Sequence, residues 1–385
     1  MASDPGLSSS DETASTVETN DDQVNVRIDT LIDRIDATSF ADWYRKREFA
    51  QNIREGKPYF NGPDRVPVPE RHSPSQLNQC HRKIYYRQLN APEEQPDPQG
   101  IFWTGTKFEE ELVVPYLEAT VGPDEYVRNS MWIDVTCETD AGEIRIKGAT
   151  DPVIVNAESE PLLLTETKTK RSLDHLDKPD HHHLAQTHCY MYGLTQSYDR
   201  HVTDALLLYG SRTTLDFRAF HVAFDPWFWR QTVLSWAEDH TQLRLDEKLP
   251  AADPELPWEC DVCSYRHRCG QTEEIVYSNM EANGLLPLWA DYPQAKLVEY
   301  LEAHSEAKLT PTLAHEYPAL ADTRGVYDWI CEVCGAQQAW DDIDWNGSTT
   351  EPPDCRVCAS KGIHAPLSGL PPATQQELIE GATDA

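Results

Sequence analysis

Residues 162–168 form an apolar run, Leu-Leu-Leu-Thr-Glu-Thr-Lys, that ends in a carboxylate and an amine two positions apart. In a β-strand Glu166 and Lys168 would project from the same face, because side chains alternate with a period of two. Glu166 could hold a divalent cation, and Lys168 could orient an attacking water or stabilise the charge on a phosphorane. The same pair also occurs as an ordinary surface ion pair, so a nuclease interpretation depends on further acids nearby.

A second acid lies upstream, in the sequence Gly148-Ala149-Thr150-Asp151-Pro152. An apolar stretch follows Asp151, which therefore stands at the start of a predicted strand. Two antiparallel strands joined by a short turn would bring Asp151 and Glu166 to one metal ion. In the alternative interpretation, the Asp-Pro pair only opens a turn.

Three further side chains could complete such a site. Gln186 and Tyr190 are four residues apart and share one face of a predicted helix, from which they could contact a phosphate or position Lys168. Glu109 lies early in another predicted helix and could add a metal ligand from above the sheet. The alternatives are an ordinary half-buried helix face for the first two residues and a solvated helix position for Glu109.

Four cysteines could hold a cofactor beside these acids. Cys80 stands alone, and Cys260, Cys263 and Cys269 follow much later with the spacing C-x2-C-x5-C. Four thiolates are the number that a [4Fe–4S] cluster requires, and such a cluster would join the two ends of the intervening segment. A zinc loop is the alternative interpretation of the three clustered cysteines.

A second group of cysteines has the spacing C-x2-C-x20-C-x2-C, which indicates a structural Zn²⁺ site in a zinc ribbon. Its members are Cys331, Cys334, Cys355 and Cys358. Cys137 and Cys189 are interpreted as ordinary core thiols. His181, His182 and His183 could bind a metal ion, but the preferred interpretation is a polar helix start.

The elements that must position these residues follow from hydrophobic periodicity. We predict strands at 126–137, 143–147, 152–156, 162–168, 204–209 and 215–222. Predicted helices precede this series at 104–117, interrupt it at 181–194 and follow it at 226–245. This order predicts an α/β fold in which helices flank one mixed sheet.

Composition and motifs divide the chain into successive parts. We predict a disordered acidic tail at 1–23, a helical segment and loop at 24–72, a catalytic domain at 73–270, a linker and helix at 271–324, a zinc ribbon at 325–361 and a flexible tail at 362–385.

The charge of the chain is strongly negative. Its 385 residues include 65 Asp and Glu against 33 Lys and Arg, for a formal net charge of -32. An acid excess spread along the chain predicts a protein that stays hydrated in the concentrated salt of a halophilic cytoplasm, and an acidic protein with a basic partner is the alternative. In molar salt the Debye length is only about 3 Å, so the net charge does not exclude DNA as a substrate.

Basic residues also cluster beside the motifs. The clusters are Arg82, Lys83 and Arg87, then Lys168, Lys170 and Arg171, and finally Arg266 and Arg268.

The sequence carries no signs of export. The first twenty or so residues are mostly polar or acidic, unlike a signal peptide, and no run approaches the ~20 apolar residues that span a bilayer. The C-x-x-C spacings then favour metal binding in a reducing cytosol over disulfides. We therefore expect a cytoplasmic protein without a membrane partner.

The whole series of motifs, in this order, resembles the RecB-like branch of the PD-(D/E)XK nucleases. It is most similar to the CRISPR-associated exonuclease family with a four-cysteine iron–sulfur cluster and to the nuclease domain of AddB-type repair enzymes. Residues 75–86, Ser-Gln-Leu-Asn-Gln-Cys-His-Arg-Lys-Ile-Tyr-Tyr, resemble the opening helix of the family, and the resemblance covers roughly residues 73 to 270. One position departs from the family, which often has His where this chain has Glu109.

The resemblance implies a restriction-endonuclease-like core that cleaves single-stranded or frayed DNA ends with Mg²⁺ or Mn²⁺. It implies that Asp151 and Glu166 hold the metal together with the Thr167 carbonyl, and that Lys168 acts on the water or on transition-state charge. Gln186 and Tyr190 would support the substrate or the lysine. The [4Fe–4S] ligands implied are Cys80, Cys260, Cys263 and Cys269.

The biological setting implied is CRISPR adaptation or DNA repair, with proteins of those pathways as partners. The alternative is a catalytically inactive iron–sulfur and zinc scaffold that binds DNA in a repair or replication complex. The sequence contains no G-x-x-x-x-G-K-[ST] loop, so we expect no helicase motor in this chain.

Overall fold

A computed structural model of the chain describes residues 71–383, apart from Asp97, Asp199 and residues 271–282, together with scattered positions between 34 and 50. The predicted acidic tail at 1–23 and most of the predicted segment 24–72 lie outside the described residues. The chain divides into two units, Met1–Gly62 and Pro63–Ala385. Every candidate site residue belongs to the second unit, which is described below.

The strands of this unit are β1 Arg71–His72, β2 Glu125–Arg128, β3 Trp132–Thr139, β4 Gly142–Ala149, β5 Val153–Asn156, β6 Pro161–Lys170, β7 Asp204–Ser211, β8 Phe217–Ala223, β9 Trp329–Ile330 and β10 Gln337–Gln338. The helices are α1 His81–Gln88, α2 Gln99–Phe108, α3 Val114–Thr120, α4 His181–Ser197, α5 Pro226–Phe228, α6 Ser235–Leu245, α7 Gln294–Ala303, α8 Pro311–Glu316, α9 Pro318–Arg324, α10 Arg356–Ala359 and α11 Pro372–Thr383. Short 3₁₀ segments at Pro74–Gln76, Pro257–Val262 and Trp340–Asp342 and π-helical segments at Glu109–Val113 and Trp229–Leu234 complete the set.

The central feature is a mixed sheet in the order β2-β5-β6-β7-β8. Its strands pair antiparallel except for β6 and β7, which are parallel and therefore need a crossover; α4 supplies it. A separate sheet contains β1, β4 and β3. The predicted α/β fold with helices around a mixed sheet is thus confirmed, but the single predicted sheet is wrong because the strands divide between two sheets.

The division explains one error in the predicted elements. Residues 126–137 were expected to form one strand, yet the chain leaves the larger sheet after β2 and enters the smaller sheet at β3. The buried Met131 lies at this passage, so the apolar pattern continues while the backbone changes partner. A similar interruption occurs in the predicted helix 226–245, whose middle is π-helical over Trp229–Leu234.

Helix α4 packs between the two sheets. Its residues from Ala185 to Leu194 are almost all buried, and Gly193 touches Ile133 of β3 so closely that an added Cβ would lie 2.6 Å from the Ile133 Cδ1 atom. Glycine is required there because the backbone approaches a neighbouring side chain directly. The helix therefore holds the strands that carry the candidate acids in a fixed arrangement.

The C-terminal part differs most from prediction. Residues 285–321 contribute a second core with Ile379, and α11 occupies much of the segment 362–385, for which a flexible tail was predicted. The buried Gln375 side chain accepts a hydrogen bond from the Leu285 amide and donates to the Leu285 carbonyl, each at 2.8 Å. These bonds hold α11 against the backbone at Leu285. No helix among the described residues has the length and apolar content to cross a bilayer.

Candidate functional site

Asp151 lies in the turn between β4 and β5, at the start of the strand that pairs with the Glu166 strand. Strand β5 pairs antiparallel with β6, with Val153 opposite Leu164. This register places Asp151 beside the second half of β6, where its Oδ2 atom accepts a hydrogen bond of 2.7 Å from the Thr167 amide. Asp151 is therefore held by the backbone of the strand that carries Glu166.

Glu166 is a wholly buried acid in contact with a lysine. Its side chain has 0% exposure, and its Oε1 atom lies 2.7 Å from Nζ of Lys168. The second carboxylate oxygen, Oε2, has no hydrogen-bond partner. A buried carboxylate oxygen without a partner is costly, so this atom indicates a place where a cation could bind.

The electrostatics of the site reflect several acids in a small volume. Burial, followed by the charge of Asp151, raises the pKa of Glu166 to about 8. Burial also raises the pKa of Asp151, although Lys168 and the Thr167 amide oppose this shift. Burial works against the charge of Lys168, yet Glu166 and Asp151 together raise its pKa. Lys168 is thus held as an ammonium group. The charged forms of Asp151 and Glu166 are disfavoured, because one nearby ammonium group does not offset their burial.

Glu109 joins the same site from the helical side. Burial, then Asp151 and Glu110, raise its pKa to about 8, and Lys168 opposes the shift. Its neighbour Phe108 packs directly onto Gly210 of β7, where an added Cβ would lie 2.1 Å from the ring. A π-helical segment begins at Glu109, and such segments are frequent at functional sites. The alternative of a purely solvated position does not describe this half-buried side chain.

Tyr190 contacts the turn that carries Asp151. Its hydroxyl donates a hydrogen bond of 2.6 Å to the Ala149 carbonyl oxygen, and the Gln186 side chain lies beside it. Gly148 permits this approach, because a Cβ there would lie 2.6 Å from Pro74 and 3.6 Å from the Tyr190 hydroxyl. The Tyr190 hydroxyl therefore holds the turn that carries Asp151. The spacing of residues could not predict this contact, because its two partners are forty-one residues apart.

The four cysteines expected to hold a cluster line one cavity of ≈ 330 Å³. Cys80 directly precedes α1, and Cys260, Cys263 and Cys269 lie in the segment that ends at residue 270. Arg82 donates a hydrogen bond of 3.8 Å to the Cys269 sulfur. All four are described residues, and no three of their sulfurs lie within 4.8 Å of one another. This wider spacing suits a cofactor larger than a single ion.

The second cysteine group is much tighter. Cys331, Cys334, Cys355 and Cys358 have sulfurs within 4.8 Å of one another, and two of the pairs are 3.7 Å apart. Four sulfurs around one ion at about 2.3 Å are separated by about 3.8 Å, so these four could bind one tetrahedral metal ion. Three of them belong to a small core with Trp329.

The donors around Glu166 also fit an ion, of a different kind. Carboxylate oxygens are the ligands that Mg²⁺ and other hard divalent ions prefer. Asp151, Glu166 and Glu109 provide such oxygens, and one buried oxygen has no other partner. The residues present therefore fit a hard divalent cation beside Lys168.

Comparisons with known proteins give one family match that covers the residues of this site. Residues 67–270, just over half of the chain, match the family model described as the PD-(D/E)XK nuclease superfamily. Among solved structures, the one titled "Crystal structure of SSO0001" is similar with a TM-score of 0.38 and 14% identity, over 59% of this chain and 95% of that chain. No curated protein gives a match to the chain.

Proposed function

This chain belongs to the PD-(D/E)XK nuclease superfamily, and on that premise we propose that it is a metal-dependent DNA exonuclease acting on single-stranded or frayed ends. The observation that carries the proposal is the buried Glu166 carboxylate, which has Asp151 beside it, Lys168 in contact and one oxygen without a partner. The preference for single-stranded or frayed ends follows from the resemblance to RecB-like nucleases.

The residues would divide the work by position. Asp151 and Glu166 would hold Mg²⁺ or Mn²⁺ together with Glu109 and the Thr167 carbonyl, and the bound ion would activate water and offset phosphate charge. Lys168, kept protonated by the acids, would donate to an oxygen of the scissile phosphate as negative charge develops. Tyr190 and Gln186 would act as positioning residues through the Asp151 turn.

The cysteines would hold structural cofactors. A [4Fe–4S] cluster on Cys80, Cys260, Cys263 and Cys269 would join the first helix of the catalytic region to its last segment. A Zn²⁺ ion on Cys331, Cys334, Cys355 and Cys358 would organise the small C-terminal core. The wide spacing of the first set and the narrow spacing of the second support this assignment.

The resemblance and the charge also suggest the setting. We propose a cytoplasmic enzyme of CRISPR adaptation or DNA repair, working at high salt and with proteins of those pathways. The net charge of -32 supports a salt-adapted surface.

The test is Mn²⁺-dependent degradation of end-labelled single-stranded DNA in concentrated KCl. We expect wild type to shorten the strand and Lys168→Ala to bind it without cleavage. Lys170→Ala is the matched control, because it removes the same charge from the same face of β6. Wild-type protein that carries iron and zinc, binds DNA and never cleaves it would instead support the inactive scaffold.

Replacing Tyr190 with phenylalanine should weaken the site without changing its charge. Loss of the bond to the Ala149 carbonyl should reduce the cleavage rate roughly tenfold and weaken Mn²⁺ binding, as outer partners of metal ligands do. Tyr192→Phe, on the same helix, is the control. Equal cleavage rates for wild type and Tyr190→Phe would contradict a positioning role for Tyr190.

The apparent affinity for Mg²⁺ should rise with pH. In the metal-free protein the pKa values of Glu109 and Glu166 are raised to about 8 by burial and by neighbouring acids, so below that pH these groups keep protons that a metal must displace. Calorimetry at pH 6.5 and 8.5 should therefore give tighter binding at the higher pH and proton release at the lower. Identical affinities would contradict ionisation of these acids on binding.

A further inference from the structure

A separate group of potential ligands lies at the start of α4. Asp180, His182 and His183 each offer one ligand atom, and these atoms all lie within 4.8 Å of one another. The sequence interpretation of the histidines was a polar helix start. That interpretation explains exposed polar residues, but it does not explain why two imidazoles and a carboxylate converge.

The carboxylate of Asp180 is not used as a helix cap. Asp180 occupies the N-cap position, where aspartate ordinarily accepts a hydrogen bond from an amide of the first turn. Here its side chain makes no such bond. Its Oδ2 atom instead lies 2.6 Å from Nζ of Lys170 and 3.5 Å from Nδ1 of His183.

Each imidazole has a polar neighbour near its Nδ1 atom, and for His183 this neighbour is a hydrogen-bond partner. Nδ1 of His183 is 2.8 Å from the Tyr209 hydroxyl, and Nδ1 of His182 is 3.8 Å from the Glu255 carboxylate. Histidines that bind metals usually donate their second ring N–H to such a partner, which fixes the ring and its tautomer. The Tyr209 hydroxyl can hold the His183 ring in this way, and one ring nitrogen of each histidine lies within reach of a common ion.

We propose that Asp180, His182 and His183 bind a divalent first-row transition metal ion. Two imidazoles and one carboxylate suit Zn²⁺, Ni²⁺, Co²⁺ or Fe²⁺ better than Mg²⁺, which prefers oxygen ligands. The site is distinct from the acids at Glu166, and it shares no residue with either cysteine group. Asp180 and His182 line the wall of the cavity that contains Cys80.

Lys170 is the competitor that this site must accommodate. Its ammonium neutralises Asp180 through Oδ2, which leaves Oδ1 for an ion. A bound cation would also be repelled by this ammonium. Lys170→Met should therefore increase the affinity for the ion. If the Asp180–Lys170 ion pair only stabilises the fold, the affinity should not increase.

The test measures nickel bound by the full chain, purified anaerobically and without an affinity tag. All variants carry Glu166→Gln, so that the proposed catalytic ion is absent and the result is independent of nuclease activity. Equilibrium dialysis against Ni²⁺ should give a site whose affinity falls at least about tenfold in His182→Gln/His183→Gln. Iron and zinc contents, measured in the same samples, report that the chain is still folded.

His181→Gln is the matched control. His181 precedes the pair on the same helix and packs against the ring of Phe228, with centroids 5.3 Å apart, so its loss should leave nickel binding unchanged. The proposal is overturned if the Glu166→Gln parent binds no nickel at this site, if the double variant binds as well as the parent, or if His181→Gln weakens binding equally. It is also overturned if Lys170→Met weakens binding.

Discussion

Replacing Glu166 with glutamine should lower the rate of metal-dependent DNA cleavage by about 10³-fold while leaving the fold intact. Glutamine has the same shape, but its amide cannot supply the anionic oxygen that a hard divalent cation requires. The loss should appear in single-turnover cleavage of end-labelled DNA at saturating Mn²⁺. Glu158→Gln, an exposed position in the same β5–β6 turn, should cleave like wild type.

The same variant should be more stable than wild type in the absence of metal. Because burial raises the pKa of Glu166 from 4.5 to about 8, the folded protein holds a proton that the unfolded chain releases. Metal-free wild type therefore loses stability as the pH rises from about 4.5 to about 8, and the variant does not carry this penalty. At pH 8 the unfolding midpoint of Glu166→Gln should be a few degrees higher, and added Mn²⁺ should raise that of wild type alone.

These two results separate catalysis from folding. An inactive variant with a lower midpoint would indicate that Glu166 supports the fold through Lys168. Full activity in Glu166→Gln would contradict the metal site itself.

Replacing Arg268 with methionine should have the largest effect on stability, about 3–5 kcal/mol. Arg268 is fully buried, and its guanidinium donates to the carbonyl oxygens of Asn283 and Gly284 and to the Tyr292 hydroxyl. The buried Glu94 accepts hydrogen bonds of 2.7 and 2.8 Å from the amides of His267 and Arg268. Methionine fills a similar volume but leaves these buried groups without their cation.

Urea unfolding followed by tryptophan fluorescence measures this change. Arg266→Met is the control, since that side chain is half-buried and its ion pair to Asp261 is long, at 3.7 Å. It should shift the midpoint little, because such partly exposed pairs contribute at most about 1 kcal/mol. Equal shifts for the two variants would mean that Arg268 does not connect the cysteine segment to residues 283–292.

Arg268 also marks the limit of prediction from sequence. It was grouped with Arg266 as a basic cluster near the cysteines, a pattern that indicates a nucleic-acid surface. Its burial depends on Glu94 and on Tyr292, which are distant in sequence. Local composition contains no information on such contacts. From the sequence alone, the buried Arg268 therefore cannot be distinguished from the partly exposed Arg266.

The candidate acids were predictable for a physical reason. The alternation of side chains along a strand and the pairing of neighbouring strands are local rules, so residues 148–168 alone placed Asp151 near Glu166. The path between the two sheets was not predictable, because Met131 continues the apolar pattern while the backbone changes partner. The roles of these acids stay predictions until the variants are measured.

The Tyr190 contact and the C-terminal helix were missed for a related reason. Gln186 and Tyr190 could be placed on one helix face, yet the acceptor of the Tyr190 hydroxyl is a backbone carbonyl of Ala149, and every residue has one. The segment after residue 361 has modest apolar content, and its order comes from Gln375 bonding to Leu285. Both features depend on tertiary partners and not on periodicity.

If Asp151 and Glu166 share one cation beside Lys168, a crystal of the protein soaked with Mn²⁺ should show that ion in anomalous data. We expect an anomalous peak at about 2.1 Å from a carboxylate oxygen of each residue, with Nζ of Lys168 outside the ligand sphere. A fully occupied Mn²⁺ ion bound elsewhere, with no peak between these two carboxylates, would contradict this expectation.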